Sequence, residues 1–151
     1  MTTIAFRAGI FAADSREFDG EAMALTEKLF RVKVRKSRRE AIIATAGGTY
    51  LGMVFVDWYK RTGGTGDAPA ILAQANLEED FEVLVWDRGK LHAANHLCRL
   101  VPILDAFTAI GSGCAAALAA MHCGRSAYAA VQIAAKIDPY TGPPVRTMRV
   151  R

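Results

Sequence analysis

The spacing of apolar positions divides the chain into short elements. Residues Thr2 to Arg7 and Gly9 to Ala13 read as two strands joined by a tight turn at Ala8-Gly9. Residues Ser15 to Thr26 are mixed and polar and read as a loop. From Lys28 to Val34 apolar and basic side chains alternate, the period-2 signature of a half-buried strand. A basic turn follows, and Ala41 to Ala46 is an apolar run suited to a buried strand. Gly47-Gly48 ends it. Leu51, Val54, Phe55, Trp58 and Tyr59 then fall at helical spacing, predicting a helix over Thr49 to Arg61 that stops at Gly63-Gly64. Asp67 to Asp80 holds at most a short second helix.

Phe81 to Trp86 reads as a strand, Asp87-Arg88-Gly89-Lys90 as a hairpin turn, and Leu91 to Leu97 as the return strand. Pro102 and Asp105 break up the next segment. Phe107 to Ile110 is a strand running into Gly111-Ser112-Gly113. Cys114 to Cys123 is alanine-rich and helical, with Gly124 to end it. Ser126 is a natural N-cap for a helix over Ala127 to Ile137. Asp138 to Gly142 is a turn, and Val145 to Val150 closes the chain as a strand. Hairpins dominate this order, so the expected class is α+β, with antiparallel sheets and helices on their faces. Two sheets between helical layers, a four-layer α-β-β-α sandwich, would satisfy every apolar face.

Composition narrows the picture. The chain has 151 residues, which suits one domain over 1–151 with a real core. No apolar run reaches the roughly 18 residues of a membrane span. Arg7 interrupts the start, so no signal peptide is expected, and a cytoplasmic location follows. Cys98, Cys114 and Cys123 lack metal-type spacing and fit free thiols in a reducing compartment. His92, His96 and His122 are scattered, so neither a metal nor another cofactor is expected. The net charge of +4 comes largely from the run Arg31 to Arg39. No aromatic residue interleaves with the charges from Lys33 to Glu40, so the run reads as a solvated hairpin turn rather than a nucleic-acid surface.

Candidate chemistry begins at the start of the chain. Removal of Met1 would leave Thr2 with a hydroxyl and a free amine on one residue. The amine can then act as base for its own side chain. Its reference pKa, about 7.7–8.0, lies close to the pH at which a general base works best. If Met1 stays, that nitrogen is an amide and the base does not exist.

Five stretches, the first of them containing Thr2, are read together. They are Thr2-Thr3-Ile4, Ala13-Asp14-Ser15-Arg16, Ala46-Gly47-Gly48-Thr49, Gly111-Ser112-Gly113 and Asp138-Pro139-Tyr140-Thr141-Gly142. In this order they resemble the proteasome β-subunit family of N-terminal nucleophile hydrolases, including the bacterial peptidase HslV. The resemblance implies a role for each matching position. Thr2 matches the nucleophile, and Lys28 the lysine that favours its deprotonation. Asp14 matches the aspartate that holds that lysine. Gly47 matches the glycine whose N–H forms the oxyanion hole. Ser112, Asp138 and Thr141 match the hydrogen-bonding groups around the free amine. Two features of the residues agree independently. A buried lysine needs a carboxylate beside it, and Gly47-Gly48 leaves bare N–H groups at a helix N-terminus.

Taken singly, each residue has a plainer reading: Asp14 and Lys28 as a surface pair, Gly47-Gly48 as a turn, Ser112 as a helix cap, and Asp138 as a turn cap before Pro139. The joint pattern favours a threonine-dependent peptidase. The resemblance implies a peptide or unfolded-protein substrate, a homo-oligomeric ring and an ATP-dependent unfoldase partner. Two alternatives stay open: a catalytically silent scaffold of the same fold, and a non-peptide amidase. Gly63 to Asp80 departs from the family, being too brief for its long second helix.

Overall fold

The computed structural model describes residues 2–19, 22–35, 37–74 and 81–151. The end of the segment expected to hold a short helix, residues 75–80, lies outside these, as do Met1, Gly20, Glu21 and Lys36. In chain order the elements are β1 (Thr3–Arg7), β2 (Ile10–Ala13), β3 (Arg16–Asp19), β4 (Ala22–Leu25), β5 (Leu29–Lys33), β6 (Glu40–Gly47), α1 (Thr49–Thr62), α2 (Ala70–Ala73), β7 (Phe81–Asp87), β8 (Lys90–Ala94), β9 (Leu100–Pro102), β10 (Phe107–Gly111), α3 (Cys114–His122), α4 (Ala127–Ala134) and β11 (Arg146–Arg149). The class is α+β and every described strand pairing is antiparallel.

The chain forms two compact units. The first comprises Met1–Leu29 and Asp105–Arg151, the second Phe30–Leu104. In the first unit the strands run β10-β1-β2-β11. The β1–β2 hairpin turns in two residues, Ala8 and Gly9, both at positive φ (51° and 73°). Such a turn has the twist that matches its flanking strands. Ala5 and Ala12 sit opposite each other and face α3 and α4. Those helices return Ala117, Ala120, Ala127, Ala130 and Ala134, with Met121 and Val131 as the larger members. Small residues on both sides let helix and sheet backbones approach closely. The other face of the hairpin carries Ile4, Phe6 and Phe11, also buried.

The second unit is a sheet in the order β5-β6-β7-β8-β9. Its β7–β8 turn, Arg88-Gly89, repeats the geometry of the first (φ 51° and 73°). Helix α1 lays Leu51, Phe55, Trp58 and Tyr59 on Ile43, Val83 and Val85. It ends at Gly63, left-handed at φ 69°, whose N–H donates to Tyr59 O.

Four expectations change. Residues Ser15 to Thr26 are not a loop: they hold the β3–β4 hairpin. All four β4 residues are exposed, so no buried face imposed an apolar alternation on the sequence. Pro102 and Asp105 do break up the segment, but Pro102 does so as the last residue of a short edge strand, β9, that the pattern did not show and where the missing N–H costs no ladder bond. The return strand stops at Ala94, because the Asn95 side chain accepts from Leu97 N–H and its carbonyl from Cys98 N–H, forming a turn. Helix α4 ends at Ala134, where bonds of i to i+3 type tighten the chain through Lys136 and Ile137.

The basic turn is a hairpin turn, but Arg39 is not simply solvated. Its Nε donates to both Asp87 carboxylate oxygens at 2.9 and 3.0 Å, and a terminal nitrogen donates to Gly63 O at 3.0 Å. Tyr59 donates its hydroxyl to the same carboxylate at 2.7 Å. This cluster ties the start of β6, the end of β7 and the end of α1 together.

Candidate active site

Six of the seven site residues expected from the sequence lie in the first unit. Thr2 stands at the mouth of β1, Asp14 just past β2, and Lys28 just before β5. Ser112 sits in the turn between β10 and α3. Asp138 and Thr141 follow α4. Gly47 is the last residue of β6, in the second unit, with φ at 96°.

Asp14 and Lys28 do meet, although the strands beside them are not neighbours. β2 and β5 belong to different sheets. The hairpin β3–β4 leaves and returns between them, and Thr26 N–H donates to Ser15 O at 2.9 Å to close its root. That closure sets Lys28 Nζ 2.9 Å from Asp14 Oδ1, with both side chains out of water. Lys28 also donates to Arg16 O at 2.6 Å. Burial holds the Lys28 ammonium below the ordinary lysine range, and the Asp14 carboxylate offsets part of this.

Four donors converge on Asp14. Oδ1 accepts from Lys28 Nζ and from Thr3 N–H at 3.0 Å. Oδ2 accepts from the N–H groups of Arg16 and Gly142, each at 3.1 Å. A Cβ at Gly142 would collide with the Arg16 guanidinium, so a side chain there would push Arg16 aside. Arg16 in turn donates to Pro139 O at 2.9 Å.

The second cluster surrounds Asp138. Its Oδ2 accepts from the hydroxyls of Ser112 and Thr141, both at 2.6 Å, and Oδ1 from Tyr140 N–H at 3.1 Å. Burial alone would raise its pKa, but these donors outweigh it and hold the carboxyl below the ordinary range. Asp138 is therefore ionised at neutral pH and acts only as an acceptor.

Ionisation of Asp138 fixes the direction of the hydroxyl protons. Ser112 and Thr141 each have one proton, and the carboxylate takes both. Thr3 Oγ1 lies 2.5 Å from Thr141 Oγ1, so Thr3 must be the donor in that pair. Ser112 Oγ also lies 3.3 Å from the Thr2 carbonyl oxygen, the longer of its two contacts. β1–β10 pairing, with Thr3 opposite Gly111, brings this turn to the start of the chain. Gly113 leaves no room for a side chain, since a Cβ would strike the Thr3 hydroxyl.

Thr2 is 2% exposed. Sequence reasoning placed it, Asp14, Lys28, Ser112, Asp138 and Thr141 but gave no role to Thr3, Arg16 or Gly142. Arg16 and Gly142 lay inside quoted motifs, and Thr3 is adjacent to Thr2. Their contacts arise only when the hairpin root meets the loop after α4. Among the described residues no cluster of histidine, cysteine and acidic side chains can hold a metal, and no helix is long and apolar enough to cross a membrane.

No family model and no curated protein matches this chain. Solved structures do. BPH of Thiobacillus denitrificans, solved in complex with epoxomicin, is similar at 19% identity and a TM-score of 0.68, covering 97% of this chain and 96% of its own. Anbu (ancestral β-subunit) from Yersinia bercovieri is similar at 12% identity and a TM-score of 0.75, covering 98% and 81%. The eukaryotic HslV from Trypanosoma brucei is similar at 16% identity and a TM-score of 0.61, covering 99% of both chains. These likenesses show the fold: it is the proteasome-type fold of N-terminal nucleophile hydrolases, as the sequence resemblance implied.

Proposed function

We propose that this protein is a threonine-dependent peptidase whose nucleophile is the Thr2 hydroxyl, released for work by removal of Met1. One observation carries the reading. The Thr2–Thr3 segment is held by two charged clusters, Asp14–Lys28 and Ser112–Asp138–Thr141. An ordinary strand start needs neither.

In this reading the free Thr2 amine takes the proton of its own hydroxyl, and Oγ1 attacks the substrate carbonyl. The Lys28 ammonium favours the alkoxide, and Asp14 keeps the lysine in place. A backbone N–H would receive the oxyanion; one preorganised donor of this kind is worth about 10²–10³ in rate. The protonated amine then passes its proton to the leaving nitrogen. The C–N bond breaks and an ester to Thr2 remains. Water, deprotonated by the same amine, attacks the ester and restores the hydroxyl. Ser112 and Asp138 fit the task of orienting the amine, because Ser112 turns its proton to Asp138 and keeps lone pairs for an N–H donor.

The whole chain, 1–151, would act as one such domain, in the cytoplasm and within a homo-oligomeric ring. Assembly is in keeping with the helical assembly described for the similar Anbu complex from Pseudomonas aeruginosa. Peptides or unfolded protein would be the substrate, with an ATP-dependent unfoldase as the partner that feeds it.

Intact mass of the purified protein first establishes whether Met1 is gone. The Met1-free form is then incubated with short fluorogenic peptides and with epoxomicin, beside Thr2→Ala. The expected outcome is peptide cleavage and an epoxomicin adduct on Thr2, both absent from the variant. Met1-free protein that neither cleaves nor is labelled overturns the proposal, and equal turnover by both forms overturns the role of Thr2.

A further inference from the structure

Thr3 is fully buried, yet it is a polar residue on a strand otherwise apolar inside. Its backbone N–H donates to Asp14 Oδ1, the same oxygen that holds Lys28. Its carbonyl accepts from Asp14 N–H at 3.1 Å. Its hydroxyl reaches Thr141 at 2.5 Å. Thr3 is thus the residue of β1 bonded to both charged clusters, and it is covalently attached to Thr2. The Gly113 backbone lies so close to this hydroxyl that no side chain fits between them.

We propose that Thr3 is a positioning residue which aligns the Ser112–Asp138–Thr141 cluster with the Thr2 backbone through its buried hydroxyl. The proton order requires it. With Thr141 donating to Asp138, the Thr141 lone pairs face Thr3, and only a donor there satisfies them. Valine has the same shape and no proton. Thr3→Val leaves the Thr141 oxygen facing a methyl group, and the Thr141 hydroxyl is then free to rotate away from Asp138. Asp138 loses one of its donors, and the cluster loses its hydroxyl tie to β1. Hydrogen bonds in series strengthen one another, so the effect spreads from Thr3 to Asp138.

This inference rests on the proposed peptidase reading for its kinetic arm but not for its titration arm. The first measurement is the carboxyl titration of Asp138 by carbon NMR in the wild type, Thr3→Val and Thr3→Ser. Thr3→Val is expected to move Asp138 up toward the ordinary carboxylate range, and Thr3→Ser to restore the wild-type value. The second is peptide turnover by the Met1-free forms, where Thr3→Val should lower kcat roughly tenfold with KM unchanged, the loss of one hydrogen bond. The double variant with Thr141→Ala should lose little more than Thr141→Ala alone. An Asp138 titration unmoved by Thr3→Val, or losses that multiply in the double variant, overturns the proposal. A wild type without turnover defeats the peptidase reading instead, and the Asp138 titration then decides the role of Thr3. Should Thr3→Val not fold, Thr3→Ser decides: it keeps the donor, so any marked shift of Asp138 in it overturns the proposal.

Discussion

Lys28 Nζ sits 2.9 Å from Asp14 Oδ1, and neither side chain is more than 5% exposed. A lone ammonium at this depth would be costly, and the carboxylate is what makes it tolerable. Removing one partner should therefore cost more than removing both. Lys28→Met and Asp14→Asn are each expected to destabilise the fold by about 3–5 kcal/mol. The double variant should lose clearly less than the sum. Urea unfolding of the four forms gives the coupling, and simple additivity would show that the two charges do not depend on each other.

Gly113→Ala tests the crowding at the start of the chain. The new methyl group would strike the Thr3 hydroxyl. Overpacking of this kind costs about 1–3 kcal/mol. Thermal unfolding should register the loss, and epoxomicin labelling of Thr2 should slow even at temperatures where the variant is folded. Unchanged stability would mean that Thr3 is not where the structure puts it.

The Arg39–Asp87–Tyr59 cluster predicts both a magnitude and a pH dependence. Tyr59→Phe removes a buried hydrogen bond to a carboxylate, worth about 1.5–3 kcal/mol. Burial acts to raise the Asp87 pKa, but the bonds from Arg39 and Tyr59 outweigh it and leave the carboxyl below the ordinary range. The folded state then binds this proton less tightly than the unfolded state. The stabilisation is present above the ordinary carboxylate pKa and is lost as pH falls through the lower, folded value. Asp87→Asn should flatten this acid limb in denaturant titrations across pH. A limb of unchanged steepness would assign it to other carboxyls.

The cysteines differ in access. Cys98 is buried, which pushes its thiol up to about 11. At about pH 8 only about one part in a thousand of it is thiolate. Cys123 is exposed. Iodoacetamide with peptide mapping should modify Cys123 in the folded protein and leave Cys98 intact until denaturant is added. Early modification of Cys98 would contradict its burial.

Part of the candidate site was legible in the sequence because it is local. Asp138 and Thr141 are three residues apart, and a turn brings them together. Both two-residue hairpin turns announced themselves through glycine between apolar strands. Lys28 and Asp14 were expected to pair, but what brings them together was not legible. The β3–β4 hairpin that joins them has an exposed second strand, so it left no apolar period to read. Arg16 illustrates the same limit. Its carbonyl and guanidinium serve Lys28 and Pro139, two contacts that no spacing along the chain encodes.

The sequence by itself determined the α+β class, the antiparallel hairpins, the two alanine-rich helices and the residue types at the start of the chain. Those follow from period, turn chemistry and composition, which act over a few residues. Only the tertiary structure decided the direction of the hydroxyl protons around Asp138, the four donors on Asp14 and the double attachment of Thr3. Each needs, beside local contacts, groups more than ten residues apart to meet within about 3 Å, a distance set by strand register and by the room that Gly113 and Gly142 leave.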